Sequence, residues 1–382
     1  MQDRNQRAVQ ATRTFRDARS HRDESAFGRF PYQVGPMSAT LMDRVADKVL
    51  RVSLGVHAGE SVTIETWNTG LAFAERAVLR ARHLGSAPLL LFEDEATFVE
   101  SARSTPRKFR GRMGEHERAL LSRTNAYIFV PGPVLAGSPS LSRGELTSST
   151  AYNSSWYEAA KKAKLRGVRM LFGYVGTNGA RILRRPSDRV VRHQLTACLA
   201  DFQKVRRTGL TLSRLLRPRS KVVVRAEGEE LSFELGREDA LDDGVVDRRD
   251  LAAGGNMVNM PPGYYARKIL QSSLTGAVRL YAPVPRIGKV ADFRFEFQRG
   301  RLRKWECETD QRWLNELVRL TLKDRRTFGA IAIGLNPELR RGFGQDRLAE
   351  GSVTFFGMLQ GTARAASLEV GSRPVIREAR LV

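Results

Sequence analysis

The strongest restriction on the fold of this chain is a change of hydrophobic rhythm near residue 205. Before that point, short apolar runs alternate with amphipathic helical patterns. Leu41, Met42, Val45, Ala46, Val49 and Leu50 recur at helical spacing behind Ser38, a candidate N-cap. A turn at His57-Ala58-Gly59 leads to a strand over Ser61–Thr66, then a helix over Leu71–Leu84 stopped by Gly85. Pro88–Phe92 and Ala126–Val130 are continuous apolar runs of the kind that parallel sheets bury on both faces. Ala119–Ser122 ends one further helix, and Trp156–Leu165 with Val168–Tyr174 repeats helix then strand. Strands alternating with helices predict a parallel α/β domain.

Beyond residue 205 the rhythm becomes that of antiparallel sheet. Lys221–Arg225, Leu231–Leu235, Ala277–Tyr281 and Phe293–Phe297 alternate or run apolar, with turns expected at Gly228, Gly276, Gly288 and Gly300. Trp313–Leu322 reads as one helix capped by Asp310, and Phe328–Leu335 with Ser352–Leu359 adds more strand. The expected organisation is a basic arm over 1–36, an α/β domain over 37–205, a basic connection over 206–220 and a β-rich α+β domain over 221–382. Two domains also suit 382 residues.

Charge bears on partners rather than on fold. The chain carries 64 Lys+Arg against 41 Asp+Glu, a formal net charge of +23. Arg outnumbers Lys almost five to one, so codon usage accounts for part of the excess. The rest is concentrated: Arg181–Arg225 holds thirteen bases and two acids, and Arg13, Arg16, Arg19 and Arg22 recur every third residue in the arm. Nucleic acid, an acidic peptide and an anionic membrane surface are all compatible with this. Against nucleic acid, no recognised binding motif is present and aromatic residues do not interleave with the basic run. No apolar run approaches the roughly 20 residues of a membrane-spanning helix, and the N-terminus lacks an apolar signal core. With two cysteines, Cys198 and Cys307, the expectation is a reduced, cytoplasmic protein without a disulfide framework or zinc ribbon.

The chemistry-bearing residues are sparse. The five histidines end at His193, so the second half lacks the commonest metal ligand and general base. His193, in a helical pattern near Cys198, reads as an ordinary helix residue. Gly173–Gly179 lacks the lysine of a phosphate-cradling loop and reads as a loop after a strand. Glu306, Glu308 and Asp310 are spaced by two. On a strand they would share a face and could hold Mg²⁺ or Ca²⁺; at a strand end they would be solvated, with Asp310 capping the next helix.

The order of these features resembles the thermophilic metallo-aminopeptidase family of the aminopeptidase T type. The first half carries Val56-His57-Ala58-Gly59-Glu60-Ser61-Val62-Thr63-Ile64-Glu65-Thr66, a helix, and the turn Leu84-Gly85-Ser86-Ala87. The second carries Asn259-Met260-Pro261-Pro262-Gly263, Gly276-Ala277-Val278, Gly288, Phe295–Leu302, the helix Trp313–Leu322 and Phe328-Gly329. The resemblance runs from about Ser38 to Glu369. It implies an aminopeptidase-like two-domain architecture and a homodimer. It also implies two metal ions on Glu, Glu, His, Tyr, His and Asp. Here the first Glu position is Tyr264 and the second corresponds to Ala330. Both histidines fall where this chain has none, and Gly351–Glu369 lacks the Asp-Glu…His. The family's C-terminal ligand segment is also cut short.

Loss of at least four ligands of six abolishes a dinuclear site, and with it the activated water and the Lewis acid. The expectation is therefore no aminopeptidase activity, no metal and no cofactor. A cleft shaped for an extended peptide would remain. It suits a non-catalytic accessory protein holding an acidic, ribosomally made precursor peptide for a separate modifying enzyme in a natural-product pathway. Candidate contacts are Tyr264 and Tyr265, by stacking or hydrogen bonding, and Arg267, Lys268, Arg286, Arg340 and Arg341, by charge-assisted bonds. An exposed edge of the second sheet could take the peptide as an added strand. The alternatives are a metalloenzyme of altered chemistry in the same fold, with metal held at Glu306 and Glu308, and nucleic-acid binding.

Overall fold

A computed structural model describes residues 36–382 except 107–108, 110, 133–142, 285–288, 323–327 and 358. The basic arm over 1–36 lies outside the described residues but for its last position. The first helix, α1 (Pro36–Lys48), starts at the proline, so Ser38 lies inside it rather than capping it. Proline's fixed φ suits a first helical turn. The α/β half continues through β1 (Ser61–Trp67), α2 (Leu71–His83), β2 (Ala87–Glu93), α3 (Glu95–Ser104), α4 (Glu115–Ser122), β3 (Ala126–Val130), α5 (Arg143–Lys162) and β4 (Arg166–Met170). Next come α6 (Gly176–Leu183), α7 (Ser187–Ala197) and α8 (Phe202–Leu215). The strands form a parallel sheet in the order β2-β1-β3-β4, which a strand of the second half, Met257–Met260, extends beside β4.

Alternation of side chains along each strand decides what that sheet buries. Val62, Ile64, Ala126, Ile128, Val168 and Met170 face α1, the helical turn Val49–Ser53 that follows it, α2 and α7 through Val45, Val49, Phe73, Ala77 and Leu195. Tyr127 and Phe129 point the other way, onto Leu121 of α4 and Trp156 and Ala160 of α5. Val168–Tyr174 is not one strand. β4 ends at Met170, a 3-10 turn spans Leu171–Tyr174, and Gly176 opens α6, so Gly173–Gly179 is largely helical rather than loop. Gly173 is required there, because a Cβ would stand 2.1 Å from the carbonyl oxygen of Pro131.

The second half holds β5 (Lys221–Ala226), β6 (Glu229–Asp242), α9 (Arg248–Ala253), β7 (Met257–Met260), β8 (Tyr264–Val284), β9 (Lys289–Gln298) and β10 (Arg301–Glu306). It ends with α10 (Gln311–Leu322), β11 (Phe328–Gly334), β12 (Val353–Gly357), β13 (Gly361–Ala363), β14 (Ser367–Val370), β15 (Arg373–Arg377) and β16 (Arg380–Leu381). All but β7 form one antiparallel sheet, in the order β11-β12-β13-β8-β6-β5-β14-β15-β16, with β9 on β8 and β10 on β9. The twenty-one-residue β8 is its spine, paired with β6, β9, β11 and β13. Phe233, Phe293, Phe295, Phe328 and Phe355 fill its core, which α8 and α10 cover with Val205, Leu212, Leu314 and Val318. Asp310 caps α10 as expected, accepting from the Trp313 N–H at 2.9 Å.

Three sequence expectations change here. The chain does not divide cleanly at residue 220, because β7 returns from the second half to complete the parallel sheet beside β4. The 206–220 connection is mostly helix α8, and its Leu212 and Leu216 belong to the second core. Gly276 is no turn; it sits within β8 opposite Leu231, where a Cβ would meet the Glu230 carbonyl oxygen at 2.2 Å. Gly288 lies outside the described residues.

Candidate functional site

At the carboxyl ends of the parallel strands, where open α/β sheets bind ligands, polar residues from both sheets meet. Arg169 on β4 is in register with Asn259 on β7. Asn259 donates from its side chain to Asp242 Oδ2 at 2.7 Å and from its backbone N–H at 3.2 Å. Asp242 ends β6 and pairs with Tyr264, the first residue of β8. Tyr264 is half-buried and packs with Tyr174, Leu171, Leu339 and Leu348. Leu348 ends a 3-10 turn, Asp346–Leu348, which also carries Arg347. Arg347 Nη1 donates to Gln360 Oε1 at 3.0 Å.

Gly263 sets the entry to β8. Its φ of +121° is closed to most side chains. Its N–H donates to the Asp242 carbonyl at 3.0 Å, and its own carbonyl accepts from Leu335 N–H at 2.9 Å. Tyr264 is thereby placed opposite Gly334 of β11, with Lys268 opposite Ala330. Paired residues of an antiparallel ladder point the same way. Tyr264, Lys268 and Ala330 therefore share the face turned away from the phenylalanine core, and Ala330 faces Phe356 of β12 in turn. The Tyr264 and Phe356 rings lie 6.4 Å apart. The two positions that the resemblance assigns to metal-binding glutamates are thus on one face.

The donor set around them is cationic and phenolic. Burial, reinforced by the Asp242 charge, pushes the Tyr264 phenol up to about 12, while Arg347 and Arg169 oppose that rise. Burial also raises Tyr174, with both arginines acting on it in the opposite sense. Asp242 is pushed up to about 6 by burial, against the bonds from Asn259 and the charge of Arg347. One carboxylate, two guanidiniums and two protonated phenols do not suit a pair of divalent cations, which need several anionic or imidazole donors. Among the described residues no group of three His, Cys, Asp or Glu is placed to hold a metal ion.

Arg169 also lines a neighbouring cavity of about 50 Å³ with Glu65, Tyr127, Tyr152, Trp156, Tyr157 and Met257. Tyr157 accepts a hydrogen bond from Arg169 Nη2, Tyr127 donates to Glu65, and Tyr152 donates to Glu117. Burial raises the Glu65 carboxyl to about 7, the Tyr127 bond opposing and the Glu93 and Glu117 charges adding. A larger concavity at the β14–β16 edge is open and shallow. Its Arg225 is already paired with Glu230 and Glu369 at 2.8 and 2.9 Å.

The residues singled out from sequence disperse. Tyr264 is among the polar residues at the strand ends, partly buried. Tyr265, one position on, faces the core, and its hydroxyl donates to Asp239 at 2.9 Å. Arg267 is 5% exposed and is held by Asp239 at 2.7 Å and by the carbonyls of Gly236 and Arg237. Its charge is satisfied inside the protein, because strand parity points it inward. Lys268 pairs with Glu238 at 2.6 Å. The exposed Arg340 donates its backbone N–H to His193 Nε2 at 2.8 Å, so His193 is a structural acceptor. Arg341 is fastened to Ser352 and to the carbonyls of Glu350 and Ala379. Arg286 lies outside the described residues.

Glu306 ends β10 and pairs with Lys304 at 2.7 Å, Glu308 reaches Arg279 at 3.6 Å, and Asp310 caps α10. The three carboxylates thus have separate cationic or capping partners. Sequence reasoning missed Arg169, Asp242 and Arg347. For Arg169 a signal existed: a guanidinium between the buried Val168 and Met170 of a parallel strand.

No protein-family model matches the chain, and no curated protein matches its sequence. Among solved structures it is similar to wild-type AmpT (aminopeptidase T) from Thermus thermophilus, at 13% identity and a TM-score of 0.64. The match covers 90% of this chain and 99% of that one. At this identity the likeness shows the fold: a distant aminopeptidase-like architecture of a parallel sheet with helices and a large antiparallel sheet. Among the described residues no helix is long and apolar enough to cross a membrane.

Proposed function

We propose that the chain is a non-catalytic peptide-binding protein that holds an acidic precursor peptide for a separate modifying enzyme. The observation that carries this reading is the face shared by Tyr264, Ala330 and Phe356. On an aminopeptidase-like frame, positions matched to metal-binding glutamates hold a phenol and a methyl group, with Arg347 and Arg169 beside them. That surface favours an anionic, extended ligand and supplies neither a nucleophile nor an activated water. The edge strand β10 pairs only with β9 among the described residues and exposes Arg301, Arg303 and Lys304. It gives an acidic segment a second place to add as a strand.

The direct test recovers the protein from its native host and identifies co-purifying peptides by mass spectrometry. Isothermal titration with the recovered peptide follows. Micromolar binding is expected, with no release of amino acids from leucyl-p-nitroanilide in the presence of added Co²⁺, Mn²⁺ or Zn²⁺. No heat of binding at micromolar concentration, or metal-dependent turnover, would refute the reading. Affinity that follows nucleic acid instead, with a steep loss in salt, would replace it by the polyanion alternative.

A further inference from the structure

We propose that Arg169 and Arg347 form a two-pronged seat for one oxyanion group, a carboxylate or a phosphate, carried by the ligand of the cleft. The attribution to a bound peptide rests on the function proposed above; the seat itself does not. Other arginines with partly or fully buried contacts are matched to carboxylates: Arg76 with Asp43, Arg80 with Asp47, Arg166 with Glu60, Arg267 with Asp239 and Arg294 with Glu229. Among the described residues Arg169 and Arg347 have no carboxylate within ion-pair distance. Arg169 bonds only a phenol oxygen and Arg347 only a neutral amide oxygen.

Each also leaves its Nε–H buried without an acceptor. An unsatisfied buried donor on a charged group is costly, and native structures rarely keep two in one place without a use. Of the carboxylates near the pair, Glu65 is held by the Tyr127 hydroxyl, while Asp242 gives Oδ2 to Asn259 and keeps Oδ1 buried without a partner, outside ion-pair distance of either arginine.

The two guanidiniums lie near enough to act on each other, and both act on Tyr174 and Tyr264. Arg169 is tied through Asn259 and Asp242 to Tyr264, and Tyr264 packs against the cluster that holds Leu348, the neighbour of Arg347. Tyr157 accepts from Arg169 and keeps its own O–H to donate. A planar fork of N–H donors meeting two oxygens is the geometry in which Arg exceeds Lys. Two forks and flanking hydroxyls can therefore hold both oxygens of a carboxylate, or three of a phosphate.

The test titrates the full-length protein with inorganic phosphate and, separately, with sodium acetate, following ligand line-broadening by nuclear magnetic resonance. Both anions should bind saturably to the wild-type chain. Arg169→Gln and Arg347→Gln should each weaken that binding at least about tenfold, as expected for losing a charge-assisted bond. Arg312→Gln, at an exposed arginine of α10 outside the seat, should leave it unchanged and so separates the site from general attraction to a basic protein. If a glutamine variant fails to fold by circular dichroism, Arg169→Lys and Arg347→Lys keep the charge without the fork and should still weaken binding.

Tighter phosphate than acetate would point to a phosphorylated ligand, and the reverse to a carboxylate; either supports the seat. Absence of saturable binding, or equal affinity in wild type and seat variants, overturns it. Peptide binding that persists without any anion site would sink the seat and leave the peptide reading standing. Anion binding without peptide binding would do the opposite.

Discussion

Single residues set the chemistry of this protein through burial and pairing. Glu65 sits on β1 beneath Tyr127, with Glu93 and Glu117 acting on it. Its folded pKa of about 7 lies above its ordinary value of 4.5. Between these two values the folded chain holds a proton that the unfolded chain has released. Its contribution to stability is therefore greatest below about pH 4.5 and is lost as pH rises through 7. Urea unfolding between pH 5 and 8 should show this decline, and Glu65→Gln should flatten it. An unchanged slope in the variant would show that Glu65 titrates normally.

Arg267 makes the complementary point: removing it leaves the Asp239 carboxylate without its cation, with only the neutral hydroxyls of Tyr265 and Ser213 as donors. Arg267→Met should cost about 3 kcal/mol, at the low end for a buried ion pair because Asp239 keeps some contact with water. Denaturant titration reads this directly, and a loss within error of zero would mean the pair is solvated. The same residue was a natural candidate for a peptide contact on sequence. Its inward direction follows from the parity of β8, in which Tyr265, Arg267 and Ile269 alternate with the outward Tyr264 and Lys268.

Among elements, local sequence and final structure agree best where one short run settles the outcome. Ala126–Val130 is a strand because five apolar residues, four of them β-branched or aromatic, are buried between two helix layers. Helix α9 is another such case. Asp247 accepts from the N–H groups of Arg249 and Asp250, and Asp250 returns a bond to Asp247 N–H, a complete capping box. Asp247→Ala should cost about 1 kcal/mol from the cap alone. The lost pairing with Arg206 at 2.8 Å adds to it. Thermal unfolding should register the loss, whereas Asp247→Asn should retain most of the cap. Elements are least legible where a pattern is shared. Val168–Tyr174 is apolar apart from Arg169, and only the approach of Gly173 to Pro131 shows that the backbone has already turned. Glu229–Asp242 runs beyond its apolar centre because β8 offers a partner along its length, with bulges at Glu234 and Asp239.

The whole molecule depends on a join between its two sheets. Asn336 is fully buried and donates from Nδ2 to the carbonyls of Ala197 and Pro262, one on each side of that join. Asn336→Ala would leave both carbonyls dry and should cost about 2 kcal/mol. It should also weaken ligand binding in the cleft, since Pro262 leads through Gly263 into Tyr264. A variant with reduced stability but unaltered binding would separate the join from the site.

The sequence by itself determined the two kinds of sheet, most of their strands, the cap of α10 and the absence of histidine after His193. These are properties of short windows, where period, turn residues and composition act locally. Only the tertiary structure decided that β7 crosses back to the parallel sheet, that Arg267 is buried, and that Arg169, Asp242, Tyr264 and Arg347 meet. Those residues are separated by up to nearly half the chain, and strand order and register bring them together. No local pattern encodes which distant strand a given strand will pair with.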